Sequence, residues 1–528
     1  MGEFAFWVWI ALADTTVTSF LVYNSIYRPV IGLFLNRRVH CFPLRSESLA
    51  ITTLQHHKTS LERAGTTLEF RNTCLIMASA PTSWTAPVHA LIDYEDPYVQ
   101  PLILSALEKR MRSSTYKLVK SLKDLPSPST PCLQFVQYES IDWDHLMSNS
   151  STSLANAYII RKALIRKHYL STTIANWITK YPESALKRGA KPSLEFEVDY
   201  AEFLDDALVE AWELKESWAR NEEKENAEER EWWILKPGMS DRGQGIRLFS
   251  SEEELTAIFE EWDPESDEED EDEDARSDAG RDEEKDEGNG IITSQLRHFV
   301  AQPYIHPPLL LAPPGEPTQL RKFHIRTYVL ATGALQVFVY KPMLALFAAR
   351  PYLPPWASDF ESEEEREDAM RAHLTNTCLQ DTGDREGSVG LFWSLPDSIT
   401  SQPDAKINAP QDWKEQVFTQ IKDITGQTFE AAARGMSIHF QPLPNAFEIF
   451  GLDFMVGIEE DGSLNTYLLE VNAFPDFRQT GDELSGMIEG LFEGVVDEAI
   501  APFFGVEQEK GKGDGKMVKV LDIDLGRR

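Results

Sequence analysis

Two apolar runs near the C-terminal end of the chain have the length and composition of buried strands. They read FEIFGLDFMVGI at 447–458 and YLLEVNAFPDF at 467–477, and both are rich in the aliphatic and aromatic residues that strands favour. Asp461-Gly462 lies between them, and an Asp-Gly pair between apolar runs is the strongest short-range signal for a hairpin. The pattern therefore predicts two antiparallel strands joined by a tight turn.

Three polar side chains interrupt this predicted hairpin. A two-residue turn centred on 461 and 462 pairs Asp453 with Glu470 and Gly451 with Asn472, and residues two apart on a strand point to the same face. Facing carboxylates repel each other unless a cation lies between them, and oxygen ligands with room for phosphate and water suit Mg²⁺. We therefore predict a Mg²⁺ site formed by Asp453, Glu470 and Asn472. The alternative is an ordinary hairpin whose acids face solvent.

Upstream of the hairpin, strand-like and helix-like patterns alternate from about Pro87, which predicts mixed α and β structure. The predicted strands are HALIDY (89–94), TPCLQFVQYESI (130–141), WWILKP (232–237) and FVAQPYI (299–305), and the predicted helices are YVQPLILSALEKRM (98–111), the segment 153–181 and a long helix over 201–231. The final stretch, 506–528, reads as a polar tail with at most one short strand.

A glycine-rich loop follows the strand that ends near Lys236. The stretch WWILKPGMSDRGQGIRLF (232–249) reads as strand, loop and strand, with Gly238, Gly243 and Gly245 in the loop. Glycines let backbone N–H groups curl around phosphate oxygens, and no Gly-Lys-Ser/Thr sequence is there to make a P-loop. A flexible hairpin lid over a nucleotide and a plain hairpin turn both fit this pattern.

A third pattern puts three cationic or titratable side chains on one strand face. In RKFHIRTYVL (321–330) the period of two places Lys322, His324 and Arg326 on one face and the apolar residues on the other. Such a face is suited to a phosphate-lined cleft. A solvated sheet face is the alternative.

The charge of the chain is strongly negative. Its 528 residues include 86 acidic and 51 basic ones, a formal net charge of −35, which argues against a general nucleic-acid-binding surface. Of these, 16 acids and three bases fall in 263–287, a stretch without apolar periodicity that we predict to be a disordered loop. Cys41, Cys74, Cys132 and Cys378 show no pairing or metal-ligand spacing, which predicts a reducing, intracellular compartment.

The N-terminal residues are unlike the rest of the chain. Two apolar runs, 4–13 and 20–35, are interrupted by polar residues and are too short to span a bilayer cleanly, and no basic region precedes the first run as a signal peptide requires. We predict that residues 1–76 form an extension outside the functional domain, which would begin near Met77. The alternative, which we rank below it, is a membrane-associated segment within residues 1–35.

Taken in order, these stretches resemble the tubulin–tyrosine ligase-like family, a branch of the ATP-grasp superfamily, and in particular its fungal-type members. The similarity runs from about Tyr158 to Asp482, and its most specific pieces are RKFHIRTYVL, HLTNTCLQ, FEIFGLDFMV and LLEVNAFP. The resemblance implies an α+β protein with the ATP-grasp fold. Such a protein has three lobes with mixed and antiparallel sheets, and its ATP cleft lies between the central and C-terminal lobes.

Together with the patterns described above, the resemblance divides the chain into five segments. They are an N-terminal extension (1–76), an N-terminal lobe (77–155), a central ATP-grasp lobe (156–300) with a disordered acidic insertion at 263–290, a C-terminal ATP-grasp lobe (301–505) and a polar tail (506–528). The insertion is either a solvated spacer or a segment that occupies the acceptor groove in cis, and we favour the spacer.

The functional residues of the family transfer to positions inside the same motifs. The resemblance implies that Lys322, Arg326 and Glu470 are catalytic and that Asp453, Glu470 and Asn472 bind Mg²⁺. The implied ATP-binding residues are Lys162, Lys236, Gly243, Gly245, Gln302, Tyr304, Ile305, Thr375 and Asn376. The implied cofactors are ATP and Mg²⁺.

The reaction that the resemblance implies is amide-bond formation between an amino acid and a protein carboxylate. The carboxylate attacks the γ-phosphate of ATP, an acyl phosphate and ADP form, and the amine then displaces phosphate. Lys236, Lys322 and Arg326 would steady the transferring group. The implied partners are a free amino acid and a protein substrate, either tubulin or another acidic-tailed protein, and the implied location is the cytoplasm, in P-bodies or on microtubules.

The sequence departs from the family on the substrate side. His324 replaces an aspartate, Lys341 and Leu346 take two arginine positions, and Pro303 removes a backbone donor from the adenine-binding linker. Two alternatives to an active protein ligase follow. One is a catalytically weak or inactive ATP-binding scaffold associated with mRNA processing bodies. The other, which we rank lower, is an ATP-grasp ligase for a small molecule.

Overall fold

The computed structural model describes residues 87–238, 244–262, 297–314, 316, 319–357, 363–375, 388–399, 402, 406–481, 484–507 and 515–526. The chain divides into two compact units, Met1–Ala78 and Ser79–Arg528, and every described residue belongs to the second. The predictions for residues 1–76, for the insertion 263–290 and for Gly243 and Asn376 therefore lie outside the described residues. Within the described ranges, no helix combines the length and the apolar character needed to cross a bilayer.

The first lobe consists of β1 (Val88–Asp93), α1 (Val99–Arg110), β2 (Tyr116–Val119), β3 (Cys132–Val136), α2 (Trp143–Ser148) and β4 (Ser153–Ala155). Its strands form a parallel sheet in the order β2-β1-β3-β4. Val99, Ile103 and Leu107 bury one face of α1, because a spacing of four residues returns to the same side of a helix. The predicted strand at 89–94 and the helix after it are confirmed, whereas the strand predicted over 130–141 is limited to Cys132–Val136.

Three helices follow: α3 (Lys162–Ile165), α4 (Lys167–Lys180) and α5 (Leu186–Gly189). The predicted helical segment 153–181 is wrong at its start, where β4 forms, because a three-residue apolar strand has no periodicity that separates it from a helix. The helices bury Leu164, Leu170 and Trp177 in the core of the C-terminal lobe. Residues 158–190, which the sequence assigns to the central lobe, thus lie against the C-terminal lobe.

The central lobe consists of β5 (Leu194–Glu197), α6 (Leu204–Ala207), α7 (Trp212–Glu222), β6 (Trp233–Pro237), β7 (Arg247–Phe249), α8 (Glu252–Trp262) and β8 (His298–Pro303). Its antiparallel sheet has the order β5-β8-β6-β7, and β6 and β7 are the predicted hairpin strands. The predicted single helix over 201–231 is wrong. A straight helix of that length would extend about 46 Å, whereas four strands span only about 15–20 Å. Breaks in the helix keep Leu204, Leu208 and Leu214 on this small core.

The C-terminal lobe is built on an antiparallel sheet. Its strands are β9 (Leu310–Leu311), β10 (Arg321–Thr332), β11 (Gln336–Tyr340), β12 (Leu344–Phe347), β13 (Val389–Leu391), β14 (Phe447–Ile458), β15 (Leu464–Ala473) and β16 (Met517–Asp522). Its helices are α9 (Glu363–His373), α10 (Trp413–Gly435), α11 (Ser485–Val495) and α12 (Ala501–Phe504), with a π-helical turn at Val496–Ile500. β10 is central, since it pairs with β14 along one edge and with β11 and β12 along the other. The stretch that the sequence assigns to a polar tail contributes β16 beside β11.

Alternate residues of β10 face two different cores. Ile325 and Val329 point into the core under α4 and α10, whereas Tyr328 and Leu330 point into a core shared with the N-terminal lobe and α11. Nearer the start of the strand, this second face carries Lys322, His324 and Arg326, as the period of two predicts. The face therefore changes from apolar to charged along its length, and the charged end lies at the candidate site.

Candidate functional site

The predicted hairpin is present, although its turn differs from the predicted one. Ile458 pairs with Leu464, which is one residue out of the predicted register, and a bulge at Leu469 then adds one residue to β15. The two offsets cancel. Asp453 therefore faces Glu470 across the ladder, as predicted. The prediction assumed a two-residue turn without a bulge, whereas the structure reaches the same pair through a different turn and a bulge.

Asp453, Glu470 and Asn472 lie together, and the first two line a cleft. Asn472 Nδ2 donates to Glu470 Oε1 at 3.1 Å and to Asp453 Oδ2 at 3.4 Å. Asp453 is buried, whereas the Glu470 side chain is about a quarter exposed, at 26%. Burial alone would raise the pKa of Glu470, but Lys167, Asn472 and Arg326 outweigh it and lower the pKa to about 2. Glu470 is thus negatively charged at neutral pH.

Arg326 holds Asp453 in a buried, two-pronged ion pair. Its Nε donates to Oδ1 at 2.5 Å and its Nη2 donates to Oδ2 at 2.9 Å. The guanidinium lies beside Gly451, where a Cβ atom would come within 3.3 Å of Arg326 Cδ and 2.9 Å of Pro475 Cβ. The missing side chain at Gly451 is what admits the arginine.

The His324 ring is buried between Thr375 and Asp453. Its Nδ1 lies 2.5 Å from Thr375 Oγ1, and its Nε2 lies 3.5 Å from Asp453 Oδ1. Burial lowers the pKa of His324 by more than Asp453 raises it, so the ring is neutral near pH 7. At the position where the resemblance implies an aspartate, this chain therefore has an uncharged side chain.

Lys236 and Lys322 lie in the same cleft with neutral hydrogen-bond partners. Lys236 Nζ donates to Gln302 Oε1 at 2.8 Å, and Lys322 Nζ donates to Tyr304 Oη at 3.0 Å. Burial lowers the pKa of Lys236 to about 8 and that of Lys322 to about 7. Protonated amines held in this way gain most from an anionic ligand, and phosphate oxygens would supply it.

The cleft is lined by residues of both the central and the C-terminal lobe. Its apolar part is formed by Ile234, Ile246, Pro303, Tyr304, Ile305, Leu374, Met455 and Leu469, and its polar part by Lys167, Lys236, Gln302, Lys322, His324, His373, Thr375, Asp453 and Glu470. Apolar and charged side chains line the same cleft, which suits a ligand with an aromatic base and phosphates.

Most of the predicted ATP-binding residues that the structure describes line this cleft, but Lys162 and Gly245 do not. Lys162 is exposed outside it, and Gly245 only precedes the lining residue Ile246. The cleft instead receives Lys167, whose Nζ lies 3.7 Å from Glu470 Oε2. Sequence reasoning missed Lys167 because the motif match pointed to Lys162, and only the break between α3 and α4 decides which lysine faces the cleft. The functional roles of the lining residues stay predictions.

Two residues that line the cleft, Met455 and Leu469, lie inside the apolar runs of the hairpin and were not predicted as site residues. Met455 lies two positions from Asp453, so the period of two could have placed both on one face. Leu469 is the residue of the bulge, and no sequence pattern marks where a bulge turns a side chain toward a cleft. His373 also lines the cleft, with Nδ1 2.8 Å from Tyr304 Oη.

The donors Asp453, Glu470 and Asn472 fit Mg²⁺ once the Asn472 amide rotates. Among the described residues, no three His, Cys, Asp or Glu side chains are arranged to hold a metal by themselves. The Asn472 amide lies 3.1 Å from Glu470 and 3.4 Å from Asp453, close to the ~3 Å that separates neighbouring ligands of an octahedral Mg²⁺ ion. A half-turn of the amide would present its oxygen, and phosphate and water would supply the remaining ligands.

Two other departures on the substrate side, Lys341 and Leu346, have partners within the fold. Lys341 Nζ lies 3.0 Å from Glu415 Oε1 and 4.7 Å from the Trp393 ring centroid. Leu346 faces His324 across the ladder and is fully buried in the core shared with the N-terminal lobe. Neither residue offers the planar, two-pronged donor with which an arginine grips a carboxylate.

The lowered pKa values predict that nucleotide affinity falls as pH rises. Lys322 loses its charge as pH rises through about 7, and Lys236 as it rises through about 8, while the phosphates are ionised above about pH 7. The Kd for ADP, measured by calorimetry without Mg²⁺, should rise at least ~10-fold from pH 7 to pH 9. Lys322→Arg, which keeps its charge, should give a shallower dependence. A flat profile in the wild type would contradict a phosphate role for these lysines.

Substituting His324→Asp should make the protein more dependent on Mg²⁺. A third carboxylate beside Asp453 would destabilise the metal-free protein by about 1–3 kcal/mol, and a bound cation would relieve that repulsion. The rise in unfolding midpoint from EDTA to Mg-ADP should therefore be larger than in the wild type. His324→Asn is the matched control because it is polar but uncharged. Equal shifts in the two variants would show that position 324 does not sense the metal.

Comparison with known proteins shows the family to which this chain belongs. The model of the tubulin-tyrosine ligase family matches residues 155–508. The chain is 43% identical over 438 residues to a probable tubulin–tyrosine ligase of Schizosaccharomyces pombe, a match that covers 83% of this chain and 97% of that protein. It is 44% identical over 390 residues to the probable tubulin–tyrosine ligase PBY1 of Saccharomyces cerevisiae, which covers 73% of this chain but only 48% of that protein.

A solved structure gives the fold. The chain is similar to the C-terminal domain of K. lactis Pby1, described as an ATP-grasp enzyme interacting with the mRNA decapping enzyme Dcp2. The TM-score is 0.57 at 36% sequence identity, over 83% of this chain and 99% of that domain. The predicted α+β, ATP-grasp architecture is therefore confirmed. With the family match over most of the described residues, this chain belongs to the tubulin–tyrosine ligase family.

Proposed function

We propose that this chain is an ATP- and Mg²⁺-dependent ligase that joins an amino acid to a carboxylate of a protein. The observation that carries the proposal is the pair Asp453 and Glu470, facing each other in a cleft that also contains Lys236 and Lys322. Two facing acids favour a cation, and two buried lysines favour an anion. Mg-ATP satisfies both demands with one ligand.

The side chains of the cleft divide the work of such a reaction. The substrate carboxylate would take the γ-phosphoryl group with release of ADP, and the amine would then displace phosphate. Lys236 and Lys322 would hold the phosphoryl oxygens, and Arg326 would orient Asp453 toward the metal. When bound, Mg²⁺ would neutralise charge on the phosphates. No side-chain nucleophile is required, because ATP itself activates the carboxylate.

The names of the relatives support a tubulin substrate. Two of them are described as probable tubulin–tyrosine ligases, so tubulin or another acidic-tailed protein is the proposed acceptor and tyrosine the first amino acid to test. Leu346 lacks the guanidinium that would grip a carboxylate, which supports a changed acceptor or amino acid. A cytoplasmic location, on microtubules or in P-bodies, accompanies this proposal.

An ATP-binding scaffold without ligase turnover is the second candidate. The K. lactis relative interacts with a decapping enzyme and is 36% identical to this chain, and Lys341 and Leu346 fill both arginine positions. In this case the chain would bind ATP and a decapping enzyme, in P-bodies, and would transfer nothing.

Incubation with Mg-ATP, labelled amino acids and a cell lysate distinguishes the two candidates. Label that is transferred to a protein by the wild type, and not by Glu470→Gln, would establish a ligase. Tight binding of Mg-ATP in calorimetry, with no ADP formed and no label transferred, would favour the scaffold. Failure to bind Mg-ATP would contradict both.

A further inference from the structure

Exposed apolar side chains are concentrated in one short segment of the central lobe, residues 200–212. Among the described residues, ten large hydrophobic side chains are exposed, and four of them, Tyr200, Phe203, Val209 and Trp212, lie in these 13 positions. Trp212 is 66% exposed and Val209 is 56% exposed. Single exposed apolar residues are ordinary, whereas several of them within one short segment are a common feature of surfaces that bind other proteins.

The 200–212 segment is firmly attached to its lobe. Leu204, Leu208 and Ala211 are buried in the central-lobe core, and the Leu208 amide donates to the Leu204 carbonyl at 3.0 Å. The segment therefore packs against the core with its inner side chains, while its other apolar side chains point outward. Tyr200 and Phe203 contact each other edge to face, with ring centroids 6.2 Å apart, which gives the outer surface an aromatic ridge.

The charges on this segment are all of one sign. Glu202, Asp205, Asp206 and Glu210 are exposed, and the segment contains no lysine or arginine. No ion pair is found for any of the four among the residues that the structure describes. The described residues 194–238 and 244–262 carry 20 acids and six bases, a net charge of −14, so the whole lobe adds to a negative field around the aromatic ridge.

The segment and the ATP cleft lie on opposite sides of the central sheet. Along β6, Trp233 and Leu235 point into the core that holds Leu204 and Leu208, whereas Ile234 and Lys236 point into the cleft. A partner bound to the 200–212 segment would therefore leave the cleft open.

We propose that the 200–212 segment docks a basic, amphipathic segment of a partner protein. Lysine or arginine side chains of the partner would pair with the four acids, and its apolar side chains would cover Phe203 and Trp212. A second copy of this chain is disfavoured because it would bring the same acids face to face, and nucleic acid is disfavoured because phosphates would meet carboxylates. The proposal goes beyond the ligase function and does not depend on it.

The test uses the full chain and a fluorescent amphipathic peptide of leucine and lysine as the probe, with binding followed by anisotropy. The double substitution Phe203→Ser with Trp212→Ser should weaken binding about tenfold or more. The control is Ile438→Ser with Met147→Ser, since those side chains are also exposed but lie outside the central lobe, and it should bind as the wild type does. Equal affinity of the two double variants would overturn the proposal.

A second arm separates the segment from the general charge of the lobe. Changing Glu202, Asp205, Asp206 and Glu210 to their amides should weaken binding and flatten its salt dependence. The matched control changes Glu222, Glu223, Glu225 and Glu228, exposed acids of the same lobe, and alters the net charge equally. Equal losses in the two sets would mean only nonspecific attraction and would contradict docking here. Concentration-dependent dimerisation that disappears in Phe203→Ser with Trp212→Ser would identify a second copy as the occupant instead.

Discussion

Replacing Glu470 by Gln is expected to lower Mg²⁺-dependent ATP turnover at least ~100-fold without unfolding the protein. Gln has the same shape, so the hydrogen bond from Asn472 and the outline of the cleft can persist. The change removes a carboxylate whose pKa is lowered to about 2, and Asp453 would be left as the single acid of the pair. ADP release measured over a Mg²⁺ titration should show both lower turnover and a need for more Mg²⁺.

Glu460→Gln is the matched control for this prediction. Glu460 is an exposed acid in the turn of the same hairpin, so the substitution makes the same chemical change outside the cleft and should leave turnover unaltered. Thermal unfolding of both variants checks that neither loses its fold. If Glu470→Gln kept the turnover and Mg²⁺ dependence of the wild type, the metal would have to bind elsewhere.

Substituting Arg326→Met is expected to destabilise the protein by about 3–5 kcal/mol in EDTA. Arg326 and Asp453 are both buried and joined by two hydrogen bonds of 2.5 and 2.9 Å, so removing the guanidinium leaves a carboxylate with little water to solvate it. Denaturant unfolding measures the loss directly. Adding Asp453→Asn should recover part of the lost free energy, because the uncompensated charge disappears.

An exposed pair of similar geometry provides the control. Arg434 Nε lies 2.7 Å from Glu430 Oε1, with 44% and 29% of their side chains exposed, and Arg434→Met should cost less than about 1 kcal/mol. The difference between the two variants isolates the effect of burial. Similar losses at both positions would show that the charge of Asp453 is compensated without Arg326.

Local pattern was enough to predict the strand pair of the hairpin but not its exact register at the turn. The Asp461-Gly462 turn between two apolar runs predicted a strand pair with Asp453 opposite Glu470, and that pairing is observed. The predicted turn was wrong by one residue, and the bulge at Leu469 restored the pairing. The position of the bulge depends on how β15 must twist to follow the sheet, and no residue type in the sequence marks that position.

The places where helices begin and end were harder to predict. The stretch 201–231 has apolar residues at helical spacing, yet it does not form one helix. A single helix of that length would extend beyond the four-stranded sheet on which its apolar side chains pack. Lys162 and Lys167 lie five residues apart, and the break between α3 and α4 puts the second in the cleft. Such breaks depend on the distances between packed elements, which a linear pattern does not contain.

The sequence by itself determined which charged side chains share a strand face, because strand alternation and the identity of charged residues are local properties. Only the tertiary structure decided that Arg326 is held by Asp453, that Leu346 belongs to a core, and that four apolar side chains at 200–212 are exposed. Each of these features depends on contacts between residues that are far apart in the sequence. Burial changes pKa values and packing, and it arises only when those contacts form.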